Sequence, residues 1–545
     1  MTVYTPNKLE GELFWTRALQ EVEDAAHAAW VQTGVKSVIK FPQIEVILDK
    51  SIVKKSGVDW VGPASIKRNP SDVTKLWTVV IADEETDFMI ENISFSGLPH
   101  HLGYPLTRSW HKTERNCILH LFKCERFKIQ NCTMQDYSEG IVRTGCQDYS
   151  IVGNYLCSKV QGKSIDQFYN DTYEPIAGVQ TGDIVGWVQQ KDIPLTENGA
   201  VISGNHCLSV GLRIGIEVLT QGGNTTATTI TNNIIKGPHQ GIKVYKGSYQ
   251  DFSNAITHIR EVIISNNHIS YCREAGIYVR ANHGVLINSN YISNCALHDT
   301  GDGTAYAGIL VRVGADKINS HLSLEVGNLV TNNFIVDVGK STGAVVVGKG
   351  IMVRTENTTV SGNKIVQSRS DLIGTGHGVL VGYGDSVKTC VVSDNTISGF
   401  ALGVYYSAST WTTDNLTCKG NRISKCSSYG ISLEPSSFNN RILENVVTHC
   451  RHGLRIKNAQ STIVRGNILE DLSEVAIMLG SGTFAGEAYG GGVRTQATTQ
   501  ILYNIINRCL VPHQITETAP LDTSFKNRCK VWHQDLVDGE FRPVV

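Results

Sequence analysis

Val360-Ser361-Gly362-Asn363-Lys364-Ile365 and, a little further on, Gly378-Val379-Leu380-Val381 are the two phrases that decide the fold. The first has the form apolar-x-x-Asn-x-apolar. It returns as Ile264 to Ile269, Val392 to Ile397 and Cys418 to Ile423. Anchor asparagines stand at 92, 131, 154, 205, 233, 267, 290, 333, 363, 395, 421, 445, 467 and 504. The closest follow one another at 22 to 24 residues, as from Asn445 to Asn467 and from Asn421 to Asn445. Longer spacings carry insertions. The second phrase, Gly-apolar-x-apolar, follows most anchors, for example at Gly215, Gly241, Gly276, Gly308, Gly350, Gly430 and Gly453.

Both phrases alternate with period 2 and are rich in β-branched residues, so both read as short strands. Gly, Asn and Ser lie between them and tolerate the positive φ of tight bends. Two or three such strands per ~22 to 30 residues describe a parallel β-helix, whose coils stack at ~4.8 Å. The recurring Asn then forms a ladder along the bend. A leucine-rich repeat needs a regular Leu pattern and a propeller needs ~40-residue blades, and neither fits.

Thr16 to Trp30 places Ala18, Leu19, Val22, Ala26, Ala29 and Trp30 at helical spacing, which predicts an amphipathic helix over the first coils. The organisation expected is an all-β, right-handed, single-stranded parallel β-helix with this helix as N-terminal cap. Residues 1–62 form the cap, 63–507 the solenoid, and 508–545 a C-terminal cap or tail. Insertions fall near 97–117, 158–200, 246–260 and 296–307.

The remaining composition agrees. A chain of 545 residues and 59.6 kDa would ordinarily make three or four domains, but one repeat array can be as long. With Lys+Arg 49 and Asp+Glu 50, the net charge of -1 argues against a nucleic-acid binder or a protein held electrostatically to membranes. No apolar run has the ~18 residues of a membrane span. Met1 to Glu10 lacks the basic and apolar regions of a signal peptide, so export by that route is not expected, although a trimmed precursor would look the same. Cys272, Cys295, Cys426, Cys450 and Cys509 each fall five residues after an anchor, where other coils carry Val338, Phe400 and Leu472. That equivalence predicts buried free thiols, suited to folding in a reducing cytoplasm.

Gly34-Val35-Lys36-Ser37-Val38-Ile39-Lys40-Phe41-Pro42, then Ile44 to Leu48, then Gly57-Val58-Asp59-Trp60-Val61-Gly62 resembles the opening of the pectate-lyase-like β-helix proteins. With the repeats, the resemblance spans roughly residues 15 to 510. It is specific for the fold and weak for the chemistry, since the superfamily includes polysaccharide lyases, pectin hydrolases, uronate epimerases and phage tailspike depolymerases. Among these the chain is most similar to a tailspike, because a phage protein is made in the host cytoplasm without an export signal. The resemblance implies a homotrimer that binds bacterial surface polysaccharide, capsule or O-antigen, and cleaves it. It also implies a virion-tail location, with attachment to a tail or baseplate protein through the N-terminus. A secreted protein that has lost its signal peptide is the alternative location. A non-catalytic glycan-binding adhesin and a structural fibre subunit are the alternative functions. No cofactor, no metal, no nucleic acid and no membrane insertion are expected.

A β-helix interior is filled, so a site must lie on an outer face or under a loop. Side chains two and four residues after each Gly are expected to face outward. The fourth position places Tyr245, Arg280, Arg312 and Arg354 in one register, with Tyr278 and Tyr405 adding aromatic surface. Like charges ~4.8 Å apart are unfavourable unless acids or an anionic ligand neutralise them. Candidate acids are Asp299, Asp302, Glu356 and Glu217, and His298 stands beside the first two. Asp371 and Asp385 belong to the next coil. A solvated lattice pairing the arginines with Glu356, Asp316 or Asp337 is the structural alternative. The 158–200 insertion, with Asp166, Asp171, Glu174 and Asp183, is a second place for the site. A hydrolase needs two carboxylates ~5 Å apart for retention or ~6.5–9.5 Å apart for inversion. A lyase needs groups that neutralise a uronate carboxylate and a base for the C5 proton. Arg280, Arg312, Arg354 and Tyr245 suit the lyase, and Asp299, Asp302, Glu356 and Glu217 suit the hydrolase.

Overall fold

The computed structural model describes residues 2–8, 10–71, 77–98, 116–158, 181–186, 196–220, 224–246, 259–280, 284–297, 306–312, 327–339, 348–382, 387–407, 413–434, 437–457, 461–480, 500–516, 535–537 and 540–542. They pack as two compact units. One holds Met1–Arg273 with Arg280–Asn282, and the other Glu274–Val279, His283–Val313 and Ser320–Val545. Each is a stretch of right-handed parallel β-helix.

One coil shows how the phrases fold. Thr359–Ser361 and Lys364–Val366 flank the bend at Asn363, and His377–Gly382 is the Gly-phrase strand. Each pairs in parallel with its counterpart one coil on: Val360 with Val392, Ile365 with Ile397, and Val379 with Val404. These six side chains are buried and make the core. The glycine preceding the inward residue is needed for closeness. A Cβ on Gly308 would stand 2.8 Å from both the Gly350 carbonyl oxygen and Ile335 Cγ2, which real side chains do not tolerate.

The asparagine ladder is present in both units. Each buried Asn Nδ2 donates to the next Oδ1 at 2.9 Å, through Asn154, Asn205, Asn233 and Asn267 in the first unit. In the second it runs at 2.8–2.9 Å from Asn290 through Asn333, Asn363, Asn395, Asn421, Asn445 and Asn467 to Asn504. Asn92 and Asn131 do not belong to it. They are exposed, with φ of 55° and 54°, and stand one residue earlier in the bend. Cys132 takes the ladder slot and donates its backbone N–H to Asn154 Oδ1 at 2.9 Å. Left-handed backbone costs Asn little, so the same residue type serves both slots. The thiols at 272, 295, 426 and 450 are buried and that at 509 is half-buried, and all the described cysteines are free.

Helix α1, Thr16–Thr33, ends at Gly34 with φ of 68°, whose N–H caps Trp30 O at 2.7 Å. Its buried face holds Ala18, Leu19 and Ala26, and also Glu23. Glu23 accepts hydrogen bonds from Lys54 Nζ at 2.8 Å, from the Lys55 backbone at 2.8 Å and from Trp60 Nε1 at 2.5 Å. A charged clamp therefore seats the cap where the amphipathic pattern alone predicts apolar contact. At the far end, Asp535–Val537 pairs with Ile505–Ile506 in parallel and with Glu540–Arg542 in antiparallel fashion. Among the described residues no helix is long and apolar enough to cross a membrane.

Asp183 occupies the glycine slot between Gly140 and Gly215 and points into the coil. Tyr137 Oη donates to it at 2.6 Å, and Ser209 Oγ donates to the same oxygen. Burial outweighs these bonds and pushes its carboxyl up to about 7. The unfolded chain releases that proton near 4. The stability it contributes is therefore complete below about pH 4 and is lost as pH rises to about 7, at no more than about 1.4 kcal/mol per pH unit. The melting temperature should fall between pH 5 and 8, and Asp183→Asn should flatten that slope. Parallel profiles for the two proteins would show that Asp183 does not titrate there.

Candidate functional site

In the first unit, Ile214–Thr220 and Gln240–Lys246 lie side by side with Glu217 opposite Lys243 and Leu219 opposite Tyr245. The register places the Lys243 ammonium 2.9 Å from the Glu217 carboxylate and 4.5 Å from the centre of the Tyr245 ring. Arg280 completes the group. Its guanidinium lies 5.0 Å from the same ring, and Nη1 donates to Tyr245 Oη at 2.7 Å. Glu217, Lys243 and Arg280 are buried, and Tyr245 is half-buried.

An interior network holds this outer group in place. Arg143 is fully buried inside the coil and donates to the Glu217 backbone oxygen at 2.5 Å. It pairs with Glu197 at 3.1 Å, and Tyr149 Oη donates to Glu197. Tyr149 ends a stack with Phe127 and Phe88, with ring centres 4.9 and 5.3 Å apart. An ion pair so buried needs its remaining polar atoms satisfied, and it fixes the strand that carries Glu217.

Among the described residues, two cations and one carboxylate surround the phenol and carry one net positive charge. Tyr245 Oη receives the Arg280 N–H, and a phenol oxygen can accept one hydrogen bond while donating another. The Arg fork matches a carboxylate in bidentate geometry. The group can therefore hold an anion and move a proton at one oxygen.

The structure thus brings together Glu217, Tyr245 and Arg280 of the sequence candidates. It adds Lys243, which stands two residues after Gly241 as Glu217 stands two after Gly215. That shared offset was the available signal. In the second unit Arg312 and Arg354 are in-register neighbours; Arg354 is buried and Arg312 half-buried. Tyr278 is buried, and Glu356 is half-buried two residues beyond Arg354. Asp337 does not pair with these arginines: it accepts from the Ser368 and Arg369 backbone at 2.6 and 3.0 Å and from Ser368 Oγ at 2.8 Å. Asp371 pairs with Arg369 at 2.7 Å on the surface. His298, Asp299, Asp302, Asp316 and Asp385 lie outside the described residues, as do Asp166, Asp171 and Glu174. Asp183 is interior.

The second unit carries a further polar group, two of whose members, Glu434 and Lys457, stand at the same fourth position after Gly430 and Gly453. Outward positions Leu310, Met352 and Leu380 are fully buried, whereas Tyr405, Tyr429 and Arg455 are partly open. Arg455 pairs with Glu434 and lies 4.9 Å from the Tyr429 ring, and Lys457 is 3.6 Å from Glu434. His452 stacks on Tyr429 at 4.7 Å. Its Nδ1 accepts from the Val475 N–H at 3.3 Å, and its Nε2 faces Glu474 at 3.3 Å. With both nitrogens engaged, His452 is not a free base.

The family described as right-handed β-helix region matches residues 214–397, and the family described as periplasmic copper-binding protein (NosD) matches residues 318–486. Among the described residues no group fits a copper site, since no three His, Cys, Asp or Glu side chains gather closely enough to hold a metal ion. Burial also pushes the Cys390 and Cys418 thiols up to about 12, which disfavours the thiolate a metal requires. A search of curated proteins finds no matching relative. Among solved structures, the chain is similar to PfbA, a surface adhesin of Streptococcus pneumoniae, at 13% identity and a TM-score of 0.43, covering 88% of this chain and 91% of that one. It is similar to the Dettilon tailspike protein at 15% identity and a TM-score of 0.43, over 75% of this chain and 69% of that one. It is also similar to a tailspike protein mutant of E. coli bacteriophage HK620 in complex with pentasaccharide, at 12% identity and a TM-score of 0.46, over 83% and 76% of the two chains.

Proposed function

We propose that this chain is a tailspike-type receptor-binding protein that binds acidic bacterial surface polysaccharide and cleaves it by β-elimination at the Tyr245 group. The observation that carries this reading is the convergence of Arg280 and Lys243 on one tyrosine, with Arg280 bonded to its oxygen at 2.7 Å. Arg280 and Lys243 would neutralise the uronate carboxylate and make the C5 proton more acidic. Tyr245, as phenolate, would take that proton while the C4–O bond breaks and the C4=C5 double bond forms, and would return it to the departing sugar oxygen. Incubation with purified capsular and O-antigen polysaccharides tests it. A growing unsaturated-uronate absorbance supports elimination. New reducing ends without that absorbance would mean hydrolysis and return attention to Asp299, Asp302, Glu356 and Glu217. Binding without any product would leave a glycan adhesin.

The same reading places the protein in the virion tail as a homotrimer, joined to a tail or baseplate protein through its N-terminus. Outward apolar residues support self-association: Tyr155, Val201, Ile234 and Ile263 are exposed in the first unit, and Leu329 and Phe334 in the second. Such surface is unfavourable in water and favours burial between copies. Light scattering should report about three times 59.6 kDa. A monomer mass would remove the trimer.

A further inference from the structure

Two thiols of the second unit, Cys426 and Cys450, stand one above the other in adjacent coils. Ser424 pairs with Thr448 in the strands just before them, and the Arg451 N–H donates to the Cys426 carbonyl oxygen at 2.9 Å just after. The two cysteines therefore share one register. Strand stacking sets their Cα atoms ~4.8 Å apart, inside the ~4.4–6.8 Å that a disulfide spans. Hydrogen bonds already link them: the Cys426 N–H donates to Cys450 Sγ at 3.3 Å, and the Cys426 thiol donates to the same sulfur.

These contacts make the two thiols unequal. The bond from the Cys426 thiol holds Cys450 below the usual cysteine range, against its burial, and the Cys426 N–H acts in the same direction. The same thiol–thiol bond, with burial, pushes Cys426 well above that range. Burial pushes Cys132, Cys390 and Cys418 up to about 12. Of the stacked pair, Cys450 thus carries the greater share of thiolate, the nucleophile of disulfide exchange, and Cys426 is placed to resolve it.

Position in the coil sets this pair apart as well. Both thiols are 2% exposed, yet each lies between two exposed residues, Lys425 and Ser427 for Cys426 and His449 and Arg451 for Cys450. Arg451 pairs with Glu474 at 2.6 Å and His449 faces Asp471 at 3.7 Å, exposed contacts that cost little to open. In the first unit Cys124 and Cys146 are also hydrogen-bonded thiol to thiol, and the Gln147 N–H donates to the Cys124 carbonyl oxygen at 2.9 Å. Both are 0% exposed, however, and none of Lys123, Glu125, Gly145 and Gln147 is an exposed residue. Burial pushes Cys146 well above the usual range. Stacking alone is common to the two pairs, whereas a polarised thiol just beneath the surface belongs to the second.

We infer that Cys426 and Cys450 form a reversible dithiol–disulfide site that closes between adjacent coils when the folded protein meets a small-molecule disulfide such as glutathione disulfide. Cys450 gives its proton to solvent, and its sulfur attacks one sulfur of the oxidant. That S–S bond breaks, and one glutathione leaves as a thiolate and is protonated. Cys426 then loses its proton, attacks the Cys450 sulfur of the mixed disulfide and expels the second glutathione, which is protonated in turn. Two protein thiols are oxidised to one disulfide, and one glutathione disulfide is reduced to two thiols. The new bond joins residues 24 positions apart and fastens one coil to the next. Nothing in this chemistry depends on the polysaccharide that the protein binds.

The test incubates the whole folded protein with glutathione disulfide, alkylates the remaining thiols and maps tryptic peptides by mass spectrometry. Peptides 426–441 and 442–451 should appear joined, and dithiothreitol should separate them. The peptides carrying Cys124 and Cys146 should stay alkylated. Cys426→Ala should stop the reaction with glutathione held on Cys450, and Cys450→Ala should leave Cys426 unmodified. Mapping the wild type needs neither variant, so a variant that fails to fold leaves the test intact. Wild-type protein in which both peptides remain alkylated overturns the site. So does a link that forms only in denaturant, one that forms no faster than a Cys124–Cys146 link, or a Cys426→Ala protein that takes up glutathione elsewhere and not at Cys450.

Discussion

Tyr245→Phe is expected to lower turnover of an acidic polysaccharide by about 10²–10⁴-fold, the range that a positioned proton-transfer group contributes. The substitution keeps the ring that Lys243 and Arg280 approach at 4.5 and 5.0 Å and removes only the oxygen. Binding should therefore survive better than turnover. The cost to folding is small by comparison, since Arg280 loses one acceptor and a buried donor left unpaired costs about 1–3 kcal/mol. Arg280→Lys gives the complementary result. It keeps a positive charge but loses the planar fork, so KM should rise at least as much as kcat falls. Turnover that is unchanged in Tyr245→Phe would eliminate Tyr245 as the proton-transfer group, whatever happened to the melting temperature.

Glu23→Gln should be the most destabilising single change in the cap, at about 3–5 kcal/mol, because it strands a buried cation. Lys54 and Glu23 are both fully buried, and besides Glu23 the Lys54 ammonium donates to the Val58 and Lys55 carbonyl oxygens, at 2.6 and 3.2 Å, neither of which carries a charge. Burial already holds Lys54 below the usual lysine range, with Glu23 the chief opposing influence. The neutral amide can still accept from Trp60 Nε1 but no longer compensates the charge. Lys54→Met placed on Glu23→Gln should recover much of the loss, since apolar replacements for buried ion pairs are often neutral or stabilising. Denaturant unfolding of the single and double variants measures both values. A loss below about 1 kcal/mol in the single variant would mean that the cap tolerates the free charge.

The coil was legible because its causes are local. Strand alternation, the Gly that admits a neighbouring backbone and the Asn that bonds its own copy one turn later all recur at one-coil spacing. The sequence therefore carried the parallel β-helix, the ladder from Asn154 onward and the buried thiols at 272, 295, 426 and 450. The helix over Thr16–Thr33 was legible for the same reason, although its periodicity could not show that Glu23 faces inward. Asn92 and Asn131 were misplaced in the ladder because a left-handed bend and a ladder slot one residue apart favour the same side chain. Which outward side chains meet was decided only by tertiary structure. Glu217 finds Lys243 across 26 positions and Tyr245 finds Arg280 across 35, because the chain between them sets how one coil registers on the next. Insertions change the separation along the chain without changing the stacking. Sequence spacing therefore fixes what each coil is made of, whereas the hydrogen-bonded register between coils fixes which charges and rings come together.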